Sequence, residues 1–166
     1  MAELTIRQAG IEDADLVAML FSEFNSILGS DGLRGDISFA PEHANVGAAQ
    51  MRARLQGMDG IESTLIAETP DGPAGLCCLR LIPYIGQDVP YAEVTQLFVR
   101  PNGQRRGVGA ALLREAESRA KAAGATCLHI ITGNDNLDAQ AFYRAQGYIT
   151  EMMVFDKYFD TEDANA

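Results

Sequence analysis

Between Arg100 and Gly109 the chain places three Arg, three Gly and one Pro in ten positions, RPNGQRRGVG, and then passes directly into the apolar run AALL. A helix that begins just after glycine-rich sequence exposes unpaired N–H groups together with the positive end of its dipole. Both favour an anion such as a phosphate. Gly107 and Gly109 carry no Cβ, so the backbone there can come close to a ligand. The same stretch also reads as a plain strand-to-helix turn with solvated arginines. Two common phosphate motifs are excluded: GxxxxGK[ST] is absent, and GVGAAL lacks the third glycine of GxGxxG.

Few other residues offer chemistry by pattern. The three cysteines, Cys77, Cys78 and Cys127, lie in the apolar runs GLCCLRL and TCLHII, which suits buried, reduced thiols rather than disulfides or a zinc site. His129 sits in an apolar strand and reads as a packed core histidine, whereas His43 reads as a surface residue. No Ser/His/Asp or Cys/His arrangement is legible, and no metal site is expected.

The elements that must position the loop follow from apolar spacing. Residues 4–8 alternate as a strand. Residues 11–28 carry Leu16, Met19, Leu20, Phe24, Ile27 and Leu28 at helical spacing behind acidic Glu12, Asp13 and Asp15. A turn-rich loop covers 29–36, and a weaker helix is expected over 41–58 with Pro41 at its start. Residues 63–68 and 74–82 read as strands joined by a tight turn at TPDGP, and 91–99 as a further strand stopped by Pro101. The spacing then predicts a helix over 108–123 ending at Gly124, a strand over 126–132, a helix over 138–146 ended by Gly147, and a last strand over 148–155. This order describes an α/β (mixed α+β) fold: one twisted mixed sheet of about six to seven strands with about four helices on its two faces. Residues 1–160 are expected to form one domain, with 161–166 as a loose tail.

The 166 residues are 47% apolar and 22% charged, values of a folded domain long enough to bury roughly 70% of its unfolded surface. The net charge of −10 argues against nucleic acid as a partner, because phosphate backbones need a clustered positive face. Yet six of the 13 Lys/Arg fall between 100 and 121, beside the glycine loop. The start, MAELTIRQAG, shows no signal-peptide pattern, and no apolar run nears the ~20 residues of a membrane span. A cytoplasmic protein with no membrane partner is expected.

The run Leu97-Phe98-Val99-Arg100-Pro101, followed by Gln104-Arg105-Arg106-Gly107-Val108-Gly109, resembles the strand, Gln/Arg-x-x-Gly-x-Gly/Ala loop and helix of the GNAT superfamily of acetyl-CoA-dependent N-acetyltransferases. A second block, Asn136, Ala139, Phe142-Tyr143-Arg144 and Gly147-Tyr148, resembles that family's N..A..FY...GF pattern, with Tyr148 replacing the commoner Phe. The resemblance implies acetyl-CoA as co-substrate. Backbone N–H groups of residues 104–110, including Ala110, would hold its pyrophosphate, with Arg105 and Arg106 adding charge-assisted contacts. Leu97, Phe98 and Val99 would lie along the pantetheine arm as along an added strand. Asn136 would cap the following helix or touch the cofactor, or both.

Acetyl transfer to an amine needs a base, an oxyanion donor and an acid. The resemblance assigns Tyr143 as the acid, with aromatic packing as its alternative, and leaves Phe142 to the core. Glu93 is the candidate base because it lies on the strand leading to the cofactor and is expected to share a face with Thr95 and Leu97. Thr95 and Gln96 stand where some members of the family carry Glu, which leaves a surface carboxylate as the other reading of Glu93. The acceptor, a small-molecule or peptide amine, would meet Phe21, Glu23, Phe24, Asn25, Asp31, Asp36 and Phe39, whose carboxylates could hold a cation or simply be solvated. The alternative function is an acyl-CoA-binding or regulatory module with weak catalysis. Homodimerisation through sheet edges or the last strands is common in such folds and stays open.

Overall fold

A computed structural model describes residues 4–30, 46–58, 60–83, 85–86 and 88–149. Five strands, β1 (Thr5–Gln8), β2 (Glu62–Thr69), β3 (Gly72–Ile82), β4 (Tyr91–Val99) and β5 (Leu128–Ile130), form one sheet in the order β1-β2-β3-β4-β5. The first four pair antiparallel, and β4 pairs parallel with β5. Parallel neighbours need a crossover, and helix α3 (Val108–Ala122) supplies it. The helices α1 (Ala14–Ser30), α2 (Ala48–Gly57) and α4 (Leu137–Ala145) complete the described elements. The mixed sheet and four helices are as expected, but the described residues hold five strands rather than six or seven. The predicted strand 148–155 lies outside them except for Tyr148 and Ile149. The early part of the predicted 41–58 helix, with Pro41 and His43, also lies outside, as do the 29–36 loop beyond Ser30 and the 161–166 tail.

The two sheet faces are covered by different helices because strand side chains alternate. Leu65, Ala67, Cys77, Leu79, Ala92 and Val94 pack with Val108, Leu112, Leu113, Ala116 and Ala120 of α3. Ile66, Leu76, Cys78 and Phe98 face the other way, toward Ala14, Val17 and Leu20 of α1 and Met51 of α2. The 11–28 periodicity becomes the packed stripe of α1 at Leu16, Leu20, Phe24 and Ile27, whereas Met19 is exposed and the side chain of Leu28 lies outside the described residues. Its start is tied to β1 by Asp13, which accepts from the Arg7 guanidinium at 2.7 and 2.8 Å and from the Gly10 N–H at 2.8 Å. These donors hold the Asp13 carboxyl below its ordinary range. Gly124 and Gly147 follow α3 and α4 with φ of +82° and +93°, the left-handed endings anticipated from their positions.

β4 contains one residue more than its partner. Cys78 pairs with Gln96 and Leu79 with Val94, so Thr95 has no counterpart on β3. This is a β-bulge, and it reverses the parity of the strand. Ala92 and Val94 face α3 before it; Leu97 and Val99 face α3 after it, while Phe98 faces α1. Glu93, flanked by Ala92 and Val94, therefore lies on the α1 side. The expectation that Glu93 and Leu97 share a face is corrected by this bulge, which a simple alternation does not include.

Cys77 and Cys78 are fully buried on opposite faces, and burial pushes both thiols up from 9.0, Cys78 to about 12. Tyr143 is likewise raised, chiefly by burial, to about 12. Above pH 9 an unfolded chain releases thiol protons that the native chain keeps, so stability falls as pH rises. Urea unfolding between pH 7 and 10.5 is expected to give a flat profile up to pH 8. Beyond pH 9 the slope should approach about 1.4 kcal/mol per pH unit for each buried thiol. Cys78→Ala should reduce that slope by one thiol's share, leaving the share of Cys77; an unchanged slope would remove this thiol from the account.

Candidate functional site

The end of β4 is fastened before the glycine loop begins. The Arg100 N–H donates to Ala74 O at 2.9 Å. Its guanidinium meets both carboxylate oxygens of Glu23 at 2.8 Å and Pro73 O at 3.1 Å. Arg100 therefore clamps β4 to β3 and α1, and it does not belong to the loop's free positive charge. Glu23 answers that clamp, Phe24 packs on Phe98 with ring centres 5.7 Å apart, and Phe21 packs beside both α1 clusters. These three proposed acceptor residues hold the helix on the sheet. Asn25 is half-buried and has a partner of its own, and Asp31, Asp36 and Phe39 lie outside the described residues.

Residues 101–103 make a single 3-10 turn, in which the Gly103 N–H donates to Arg100 O at 2.8 Å. The Gln104 N–H reaches Pro101 O at 3.4 Å, and its side-chain amide folds back onto Val99 O at 3.3 Å. Arg105 then adopts φ +57°, the one positive φ outside glycine among the described residues, and Gly107 adopts +82°. A side chain held in this left-handed region stores strain of order 1–3 kcal/mol. Helix α3 starts at Val108, and its first bond runs from the Ala111 N–H to Gly107 O. The N–H groups of residues 105–110 make no hydrogen bond to the described residues, so six consecutive donors gather at a helix start. The Arg105 side chain is exposed and without a partner among the described residues; that of Arg106 reaches Asn102 O at 3.3 Å and Asp71 at 3.7 Å.

Beside this loop the sheet opens. Pairing of β4 with β5 ends at Val94–Ile130, while β4 continues five residues to Val99. Because the Arg100 N–H bonds to Ala74 O, the alternation of an antiparallel ladder directs the N–H and C=O groups of Phe98 and Gln96 toward β3. Those of Leu97 and Val99 point to the side that β5 has left. The backbone groups of Leu97 and Val99 thus face the opening. Phe98 does not: it is buried against α1, and its backbone is turned to β3, so its assignment to cofactor contact is corrected.

Helix α4 packs on the same core beside the start of α3 and the end of β4. Asn136 caps it, its Oδ1 accepting from the Ala139 N–H at 3.2 Å. Phe142 and Tyr143 pack on the α3-side core, with Tyr143 edge-on to Phe142 at 5.4 Å and tilted to Tyr148 at 6.0 Å. A Cβ on Gly109 would stand 3.4 Å from both Phe142 Cζ and Val99 Cγ2, so α3, α4 and the end of β4 come together at this residue. Glu93 is half-buried, one residue before the opening, on the face opposite Tyr143. The structure therefore brings Tyr143, Leu97, Val99 and the 105–110 amides to one side and leaves Glu93 on the other.

Two features were missed. The bulge has a sequence signal: apolar residues switch from even positions (92, 94) to odd ones (97, 99). Cys127 is exposed rather than buried, and its Sγ lies 3.2 Å from His129 Nε2, a pair the sequence reading set aside. His129 is half-buried, with its ring centre 5.2 Å from that of Tyr91, rather than enclosed in the core. Among the described residues no group of three or more His, Cys, Asp and Glu could hold a metal ion, and no helix is long and apolar enough to cross a membrane.

Residues 36–148 match the model of the acetyltransferase (GNAT) family. The chain is 29% identical over 149 residues to the uncharacterized N-acetyltransferase YhfO of Bacillus subtilis (strain 168), covering 87% of this chain and 89% of that protein. It is also 44% identical over 45 residues to the uncharacterized protein YdhI of the same organism. That match covers 27% of this chain and 28% of YdhI, about a quarter of its length. In three dimensions it is similar to an aminoglycoside acetyltransferase, meta-AAC0020, from an uncultured soil metagenomic sample. The TM-score is 0.76, the identity 17%, and the coverage 95% of each chain.

Replacing the Arg100 fork with a single ammonium tests the clamp. Arg100→Lys cannot meet both oxygens of Glu23 and Pro73 O together, and it is expected to lower unfolding stability by about 1–2 kcal/mol. Denaturant titration checks this, and stability equal to that of the parent chain would reduce the clamp to a surface pair.

Proposed function

The chain belongs to the acetyltransferase (GNAT) family and is an acyltransferase of the N-acetyltransferase type; on that premise we propose that it transfers acetyl from acetyl-CoA to a primary amine of a small molecule or peptide, by direct attack in a ternary complex. The observation that carries this reading is the pairing of six unbonded amides at residues 105–110 with the gap beside Leu97 and Val99. A diphosphate fits the first, and an amide-bearing arm fits the second as an extra strand. Residues 1–160 are treated as one acetyltransferase domain.

Acetyl-CoA supplies the activated thioester, and the chain's own residues supply position and protons. Backbone N–H groups of residues 105–110 hold the anionic end, with the exposed Arg105 as the nearer charged side chain. The Leu97 N–H, directed into the gap, is the donor placed for a polarised carbonyl oxygen. Burial raises Tyr143 to about 12, so it stays protonated through the working range and can hydrogen-bond to a departing thiolate, at the cost of being a weaker acid than a solvated phenol. Glu93, just before the gap on the opposite face, is the carboxylate placed to take the proton of the acceptor amine, directly or through water. Asn136 caps α4 through its Oδ1 and positions Tyr143 through that helix, while its side-chain N–H groups stay able to meet the cofactor. The aminoglycoside acetyltransferase likeness and the chain's acidic surface favour a cationic amine as acceptor.

Acetyl-CoA at a hundred times its dissociation constant should stabilise the fold by about 2.7 kcal/mol, read as a raised Tm. Free thiol should then appear when amines, aminoglycosides and N-terminal peptides are screened. Stabilisation without thiol release from any amine would replace this reading with an acyl-CoA-binding module.

Tyr143→Phe is expected to lower kcat by about a hundredfold while KM for acetyl-CoA stays within about twofold. Since Tyr143 stays protonated below about 12, the rate of the parent enzyme should rise with pH as the amine loses its proton and show no fall below pH 10. A descending limb near neutrality that disappears in the Phe variant would contradict this assignment of pKa and role.

A further inference from the structure

The pair formed by Cys127 and His129 is used by nothing described above. Cys127 precedes β5, is exposed, and places its Sγ 3.2 Å from His129 Nε2. The strand repeat puts residues 127 and 129 on one face, opposite to Leu128 and Ile130, which pack toward α3. The imidazole is held from moving by the Tyr91 ring, 5.2 Å away on β4, and the Cys127 backbone is held by the Ala92 N–H, which donates to Cys127 O at 3.0 Å. A nucleophile and a base are therefore fixed against each other at the surface, with the sulfur open to solvent. The other two thiols offer no competition: Cys77 and Cys78 have essentially no exposed surface.

We infer that Cys127 and His129 form a reactive thiol site that undergoes exchange with low-molecular-weight disulfides and carries a mixed disulfide under oxidising conditions. His129 Nε2 accepts the Cys127 proton as the thiolate attacks one sulfur of a disulfide R–S–S–R. The new bond joins Cys127 Sγ to that sulfur, the old S–S bond breaks, and the departing R–S⁻ takes the proton from the imidazolium to leave as R–SH. Cys127 is oxidised and one half of the disulfide is reduced, so the step needs no further reagent. His129 stands directly across from Glu93 in the β4–β5 register, so the attached group would overlie the Tyr91–Glu93 side of the sheet.

The folded full-length chain is incubated with oxidised glutathione at pH 7, and the adduct is followed by intact mass and located by peptide mapping. One glutathione is expected per chain, on Cys127, and none on Cys77 or Cys78 unless the protein is unfolded with urea. Cys127→Ser should abolish the adduct, and thioredoxin or dithiothreitol should remove it. His129→Asn and His129→Gln, each checked for an unchanged Tm, should slow the exchange about tenfold or more. Equal rates in parent and both His129 variants would overturn the site by reducing Cys127 to an ordinary exposed thiol. So would no adduct on the folded chain when the urea-unfolded chain reacts at all three cysteines. Neither outcome depends on acetyl transfer, so the two proposals stand or fall separately.

Discussion

The extra residue at Thr95 is the constraint on which the rest of the arrangement depends. A strand paired without interruption would send Val94, Gln96 and Phe98 to one face and Thr95, Leu97 and Val99 to the other. Here the bulge lets Ala92, Val94, Leu97 and Val99 all contribute to the α3 core, and it frees Phe98 to fill the space against Phe24 of α1. Bulges also increase local twist and bend the strand that carries them. The bulge stands one residue beyond the last β4–β5 pair, so the strand changes direction where it loses its parallel neighbour.

An open strand edge and a row of unbonded amides are each unfavourable inside a fold unless water or a ligand meets them. Here they adjoin, and the surrounding structure keeps both from collapsing. Arg100 fixes the end of β4 through four contacts to Ala74, Pro73 and Glu23. The next residues cannot slide back onto the sheet, because Gly103 is already packed so tightly that a Cβ would stand 3.1 Å from Ala74 O. The strained Arg105 and the left-handed Gly107 then turn the chain into α3 with its first amides facing outward. A long ligand with an anionic end and a hydrogen-bonding arm matches both features, which is the chemistry expected of this family's thioester substrate.

Much of this was legible in the sequence because it rests on local rules. Apolar spacing located α1 and α3, Asp71-Gly72 marked the hairpin between β2 and β3, and Gly124 and Gly147 marked helix ends, since each depends on residues within one turn of each other. The helix-start amides followed from the glycines in the same way. What failed to show depends on contacts far apart in the chain. Nothing near Glu23 or Arg100 indicates that they meet across 77 residues. The face of Glu93 depends on an unpaired residue two positions later, which propensity does not register even though the even-to-odd switch of apolar residues records it. Cys127 read as buried because its neighbours are apolar, but it precedes a strand of only three residues and escapes the cover that Leu128 and Ile130 receive.

The division of the two candidate groups between faces has a chemical logic in the proposed reaction. An amine attacking a thioester must lose a proton on the side from which it approaches, while the thiolate leaves on the far side of the tetrahedral centre. In the proposed reaction, Glu93 on the α1 face just before the gap and Tyr143 on the α3 face would separate the acceptor's approach from the departure of the thiol. Burial bears on this separation through water: it shields the Tyr143 hydroxyl from competing solvent hydrogen bonds, while the same burial raises the group and weakens it as an acid. The packing of Tyr143 on Phe142, Tyr148 and the α3 core is therefore compatible with the acid role proposed for it, and the two do not exclude each other.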